Sequence, residues 1–255
     1  MKKTLLLLAV VFFSSSQVWS QSSTLSTKPE KANSTNDFRI PLIGESAPTF
    51  TAESTNGTIN FPSDYGRKWK LLFSHPQDFT PVCSTEIMEL AKLQDEFDKL
   101  GVKLVVVSAD PIDVHMQWKK AMENLTLTDN KKIKIKFPIV DDENIAISKE
   151  YGMLNAKSKS TKSVRGVFII DPDNIIQALY FYPMNVGRSS DELLRVLSAL
   201  QTTAKDNVMT PVNWKVGNDV LLHNPPKIDD NNPTASKDEY HNPAWFLWYK
   251  KYNEK

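Results

Sequence analysis

Cysteine is almost missing from this chain: 255 residues contain one, Cys83. That scarcity excludes an internal disulfide. Cys83-Ser84-Thr85-Glu86 holds no second thiol, so the CxxC chemistry of disulfide oxidoreductases is excluded as well. His115, His223 and His241 stand at no ligand spacing, so a zinc site is not expected, and no metal or other cofactor is called for. An excess of charge of one sign is also lacking. The formal net charge is +1, which does not select nucleic acid as a partner. Long hydrophobic runs are absent too: Leu5 to Phe13 is uncharged but too short to span a bilayer comfortably. The closing Trp245-Phe246-Leu247-Trp248-Tyr249 is too brief to insert stably. We expect no stable membrane insertion, and expect this aromatic cluster to pack against the protein or a partner subunit. No internal repeat is found.

What is present begins with an export pattern. Met1-Lys2-Lys3 precedes the apolar run, Ser14-Ser15-Ser16 follows it, and small Ser20 offers a cleavage point before Gln21. Residues 1–20 are therefore expected to be a cleavable signal peptide, and the protein to be periplasmic or extracellular. No cysteine follows the apolar run, which argues against a lipid anchor. Losing Lys2 and Lys3 moves the formal charge to −1. Residues 21–38 are rich in Ser, Thr and Asn with little apolar material, and read as a flexible linker. A globular domain over residues 39–204 and a C-terminal extension over 205–255 complete the expected organisation. A free thiol kept in an oxidising compartment needs an explanation, and catalysis supplies one.

The stretch around that thiol has a clear local logic. Trp69-Lys70-Leu71-Leu72-Phe73 reads as a buried strand, whereas Ile87, Leu90, Ala91, Leu93, Phe97 and Leu100 recur at helical spacing. Cys83 thus falls at a strand-to-helix turn. Thr80 is a good N-cap and Pro81 a favoured first helical residue. Cys83 then lies in the first turn, where free N–H groups and the helix dipole favour the thiolate, the nucleophilic form. A lone cysteine is commonly an inert core residue, but this setting favours a nucleophile.

Elsewhere the pattern alternates. Thr49–Ala52 and Thr58–Phe61 read as a hairpin around Thr55-Asn56-Gly57. Val102–Ser108 reads as a strand buried on both faces, followed by a helix over Asp113–Asn124. A strand at Phe137–Val140, a short helix over Glu143–Tyr151, and strands at Val164–Ile170 and Ile175–Tyr182 around Asp171-Pro172-Asp173-Asn174 come next. Ser189-Ser190-Asp191-Glu192 opens a helix with Leu193, Leu194, Val196, Leu197 and Leu200 on its apolar face. Strands alternating with helices and ending in a hairpin imply an α/β fold.

Pro76-x-x-x-Thr80-x-x-Cys83 resembles the active-site signature of peroxiredoxins. The longer His75-Pro76-x-Asp78-Phe79-Thr80-Pro81-Val82-Cys83-x-Thr85-Glu86 is similar to the 1-Cys, peroxiredoxin-6-type branch. The likeness runs from about residue 40 to 220, includes Asn213-Trp214-Lys215-x-Gly217, and fades beyond. It implies a thioredoxin-like fold, a central mixed sheet flanked by helices, with a C-terminal extension and a homodimeric assembly. It further implies a thiol-dependent peroxidase acting through a Cys83 sulfenic acid, with a peroxide substrate and an external thiol reductant as partners. By the same resemblance Arg165, which opens a strand, reaches Cys83; a guanidinium stays charged and keeps N–H groups for a peroxide oxygen. Thr80 would accept from the peroxide hydrogen. Pro76 would wall off water, His75 would tune the thiolate or bind its sulfenic form, and Arg188 would lie near the pocket. A structural turn histidine is an equal reading of His75. The phospholipase activity credited to mammalian members is not expected, because Gly66-Arg67-Lys68-Trp69-Lys70 lacks the serine of Gly-x-Ser-x-Gly and Pro62 replaces a histidine, though Asp173 is retained. A chaperone or interaction protein on the same fold, with the cysteine vestigial, is the alternative; the complete set of Pro76, Thr80, Cys83 and Arg165 speaks against it.

Overall fold

A computed structural model describes residues 39–125, 132–154, 162–226 and 239–252. The expected signal peptide (1–20) and linker (21–38) lie outside the described residues. Strands β1 (Phe50–Ala52) and β2 (Ile59–Phe61) pair antiparallel, the hairpin that Thr55-Asn56-Gly57 implies. The central sheet is built from β3 (Trp69–Ser74), β4 (Val102–Ser108), β5 (Ile139–Asp141), β6 (Arg165–Ile170) and β7 (Ile176–Tyr182), in the order β5-β4-β3-β6-β7. β3, β4 and β5 run parallel, and β6 and β7 are antiparallel additions, so the sheet is mixed.

Alternation along the strands sends side chains to two cores. Leu71, Phe73, Leu104, Val106, Val167 and Ile169 face one cluster. There they meet Ile87, Leu90 and Phe97 of α1 (Pro81–Lys99), Trp118 and Met122 of α2 (Ile112–Asn124), and Leu193 and Leu197 of α4 (Ser190–Asp206). Leu72, Val105, Val107, Phe168 and Ile170 face the other, with Ile59 and Phe61 of β2 and Ile147 of α3 (Ala146–Glu150). This is a thioredoxin-like α/β fold. The expected short helix over Glu143–Tyr151 contracts to α3: Asp142 accepts from the backbone N–H groups of Ile147 and Ser148, so helical pairing starts only beyond it. At α4 the expected start holds, with Ser189 Oγ accepting from Glu192 N at 3.2 Å.

The extension forms a small core of its own. Trp214 is buried with Val208, Val220 and Ala199, and its indole donates to Asn218 O at 3.0 Å. Asn213 (φ +57°) and Gly217 (φ +89°) supply the left-handed turns on either side, which accounts for Asn-Trp-Lys-x-Gly physically. β8 (Val220–Leu221), β9 (Tyr240–Ala244) and β10 (Leu247–Lys250) make a three-stranded sheet in the order β8-β10-β9. The closing aromatic cluster divides here. Leu247, Trp248 and Tyr249 are half-buried in β10, but Trp245 and Phe246 sit in the connecting turn, 83% and 69% exposed, so the expected packing against the protein does not extend to them. Among the described residues no helix is long and apolar enough to cross a membrane.

Candidate active site

β3 delivers the chain into the middle of the sheet and α1 carries it away, and the residues between them form the site. His75 and Pro76 are buried immediately after the strand. Asp78 N donates to Asp110 Oδ2 at 2.7 Å, tying the turn to the end of β4. Phe79 adopts φ +53°, a left-handed conformation that bulky residues seldom occupy and that functional turns retain. Thr80 then stands at the N-cap position with Pro81 as the first helical residue. Its side chain does not cap the helix, contrary to expectation. Thr80 Oγ1 donates instead to Gln77 O at 2.9 Å, because the turn's own carbonyl competes for the hydroxyl. The lone pairs of that oxygen remain able to accept.

Cys83 is the third residue of α1 and only 1% exposed. The first-turn N–H groups of a helix lack intrahelical partners and carry its positive end. Arg165, the first residue of β6, approaches the sulfur from across the sheet: Nη1 lies 3.4 Å from Sγ. The same nitrogen donates to Glu86 Oε2 at 2.6 Å, and Nε and Nη2 both donate to Met184 O. These contacts use four of the five N–H donors of a guanidinium, leaving one on Nη2. Next to Arg165, Gly166 is needed for close packing, since a Cβ there would meet Met153 Sδ at 2.8 Å.

Glu86 organises the cations. Arg188 grips it bidentately, Nε to Oε1 at 2.8 Å and Nη2 to Oε2 at 2.7 Å, and donates its own backbone N–H to Oε1. Its remaining nitrogen donates to Ser74 O and Gly166 O, and its Cζ lies 3.3 Å from the centroid of the Phe73 ring. Arg188 therefore joins the site through Glu86 rather than at the sulfur, locking α1 to β3 and β6. Burial on its own would raise the Glu86 carboxyl, but Arg188 and then Arg165 outweigh it and hold it below the usual carboxylate range. Burial draws Arg188 below its ordinary value, opposed by Glu86. Two buried guanidinium groups and one carboxylate sum to one positive charge. A thiolate at Cys83 closes that buried cluster to neutrality, and a thiol does not.

A second buried network lies beside the first. His75 Nε2 meets Asp78 Oδ1 at 2.7 Å, and His115 Nδ1 meets Asp78 Oδ2 at 2.6 Å. The atoms of His75, Asp78 and Asp110 also lie within 4.8 Å of one another, a ligand-like cluster. Both Asp78 oxygens are bound to the histidines and Asp110 Oδ2 accepts from Asp78 N and Ser108 Oγ, so these three carboxylate oxygens are already engaged within the protein.

The structure thus gathers Cys83, Thr80, Arg165, Pro76, His75 and Arg188 around one turn. Sequence reading assigned no part to Glu86, Asp78 or His115. Glu86 had a signal, since it lies three residues after Cys83 on the same helix face; Asp78 and His115 had none, because the fold brings them together from distant segments. At the position of a lipase serine stands Lys68, and Asp173 is paired with Arg67 at the surface.

A thioredoxin-like domain with a buried cysteine at a helix N-terminus, faced by an arginine, defines the class of thiol peroxidases. Residues 43–185 match the AhpC/TSA family and residues 199–232 the C-terminal domain of 1-Cys peroxiredoxin. The chain is 41% identical to a peroxiredoxin of Methanosarcina mazei over 85% of its own length and 100% of the relative's. Yeast mitochondrial 1-Cys peroxiredoxin, whose structure addresses thiol resolution via glutathione/thioredoxin systems, superposes with a TM-score of 0.72 at 37% identity, covering 84% of this chain and 100% of that one. A mutant of peroxiredoxin 6 from Arenicola marina gives 0.72 at 32% identity, covering 84% and 99%. The chain belongs to the peroxiredoxin family, and it is a thiol-dependent peroxidase, an oxidoreductase that reduces peroxides through its single cysteine.

Proposed function

We propose that Cys83 is the nucleophile, with Thr80 and Arg165 as its catalytic partners and Pro76, His75 and Arg188 shaping the pocket. The observation that carries this assignment is the buried charge balance: Arg165 and Arg188 against Glu86 leave one positive charge for the sulfur to answer. The thiolate attacks one oxygen of hydrogen peroxide or an organic hydroperoxide, forming an S–O bond as the O–O bond breaks. Sulfur is oxidised by two electrons to the sulfenic acid, and the leaving hydroxide or alkoxide collects a proton to become water or alcohol. Thr80 Oγ1, its own proton held by Gln77 O, accepts from the peroxide hydrogen. The unused Nη2 hydrogen of Arg165 stabilises charge on the oxygen. A first external thiol then displaces the hydroxyl as water to give a mixed disulfide, and a second releases Cys83. The test is peroxide consumption by the purified protein with dithiothreitol: Cys83→Ser is expected to abolish turnover with the fold intact, and thiol-dependent turnover surviving in that variant would sink the assignment.

Two further elements of the proposal concern context. The Lys-Lys start, the apolar run and Ser20 support an exported mature chain beginning near Gln21, and N-terminal sequencing from the native host decides it. The position of β7 at the edge of the central sheet and the exposed Trp245 and Phe246 support a homodimer, which sedimentation velocity decides.

A further inference from the structure

The buried network beside the nucleophile sets a proton inventory that can be read from acceptors alone. His115 is fully buried, and its two ring nitrogens face Asp78 Oδ2 at 2.6 Å and Val140 O at 3.2 Å. A carbonyl oxygen can only accept, so Nε2 carries a proton. The other nitrogen shares a second proton with the Asp78 carboxyl. That carboxyl therefore has a lone pair, not a proton, to offer at Oδ1, and His75 Nε2 must donate to it across 2.7 Å. The opposite arrangement, Asp78 protonated at Oδ1, would leave His115 a buried cation without a counter-charge. Among the described residues His75 Nδ1 has no hydrogen-bond partner, although the ring is 0% exposed. With Nε2 protonated and the ring neutral, Nδ1 is a bare acceptor.

We propose that His115 is a positioning residue of the peroxidase, acting through Asp78 to hold His75 in the tautomer whose buried Nδ1 is free to accept a hydrogen bond. The inference rests on the peroxidase reading for its consequence only; the tautomer itself is independent of turnover. Among the described residues nothing donates to Nδ1, and the hydroxyl hydrogens that the peroxide and the sulfenic acid carry are donors of the kind it can accept. The groups facing His75 agree with a neutral ring. Asp78 is in its own turn, Asp110 lies beyond β4, His115 and Trp118 come from α2, the Trp118 ring centroid lying 5.0 Å away, and Arg188 comes from the segment before α4. Burial draws His75 below its ordinary value; the Asp78 carboxylate opposes this, and His115 and Arg188 add smaller lowering effects. Burial would raise Asp78, but hydrogen bonds from His115 and His75 overcome it and hold Asp78 as the carboxylate.

The chain contains only four histidines, so nitrogen-15 correlation spectra that separate ring tautomers are tractable on the full protein. His75 is identified by the signal lost in His75→Gln. The expected spectrum shows His75 protonated at Nε2 and bare at Nδ1 from pH 8 to pH 6. A His75 ring protonated at Nδ1 in the wild type overturns the proposal, whatever the activity. His115→Asn keeps a donor for Asp78 and should retain the His75 tautomer and a near-normal rate of Cys83 oxidation by hydrogen peroxide. His115→Phe removes the donor, and should redistribute the His75 proton, slow Cys83 oxidation about tenfold and alter its pH profile. A folded His115→Phe protein with the wild-type tautomer and pH profile also overturns it. If that variant does not fold, the wild-type and His115→Asn spectra decide alone.

Discussion

At the scale of single residues, the site depends on Glu86, a side chain with no chemistry of its own to perform. It holds Arg165 at the sulfur and is itself held by Arg188. Glu86→Gln would keep the shape but leave two buried guanidinium groups without their counter-charge, so a loss of about 3–5 kcal/mol of stability is expected. Activity should fall with it as Arg165 is released. Urea titration and peroxide assays of the same variant check both; an unchanged midpoint would contradict the network. Acid should act on the same groups. Asp78 and Glu86 are held low when folded, so their contribution is complete above their ordinary range near about pH 4 and is lost as pH falls through it. His75 is held neutral by burial, so below about pH 6.5 the unfolded chain takes up a proton that the folded one refuses. All three shifts have one sign. Thermal melts are expected to fall steadily from about pH 6.5 downward, and a flat profile to pH 4.5 would count against the buried arrangement. Cys83 stood out by its place at a strand-to-helix turn, and Arg165 was singled out only through the resemblance to peroxiredoxins, whereas Asp78 and His115 become partners only through folding.

At the scale of elements, strand β3 and helix α1 were readable from a buried run followed by helical periodicity, because both signals are local. The capping of α1 was not. Thr80 occupies the N-cap position, yet its hydroxyl serves the preceding turn, a choice fixed by the path through Asp78 and Phe79 rather than by propensity. That distinction has a measurable consequence. Thr80→Val removes one hydrogen bond to Gln77 O and no helix cap, so it should cost only about 1 kcal/mol. Peroxide turnover should fall about 100-fold, because the acceptor proposed to orient the peroxide is gone. Thr80→Ser keeps the hydroxyl and should restore most of the rate. A large stability loss with the rate preserved would reverse both expectations. The hairpin of β9 and β10 divides a run that local reading treats as one cluster. Leu247, Trp248 and Tyr249 are half-buried in β10, whereas Trp245 and Phe246 sit in a turn outside the small core around Trp214, which leaves them for a partner subunit.

At the scale of the whole molecule, the single thiol governs the fate of the oxidised enzyme. No other cysteine in the chain can resolve the sulfenic acid, within a subunit or between unlike positions of two, so reduction depends on an external thiol. Cys83 is also only 1% exposed within the first turn of α1, which shields it from a bulky thiol. A sulfenate that waits is open to a second peroxide, which adds another oxygen to give sulfinic acid, a product few systems reverse. Excess peroxide without reductant is therefore expected to convert Cys83 to a form heavier by two oxygen atoms, and a small thiol supplied during the exposure to prevent it. Mass spectrometry of the Cys83 peptide across a peroxide titration measures both. Recovery only of dimers linked from Cys83 to Cys83, with no sulfinic form, would refute this open cycle and show instead that two subunits resolve each other at the same position.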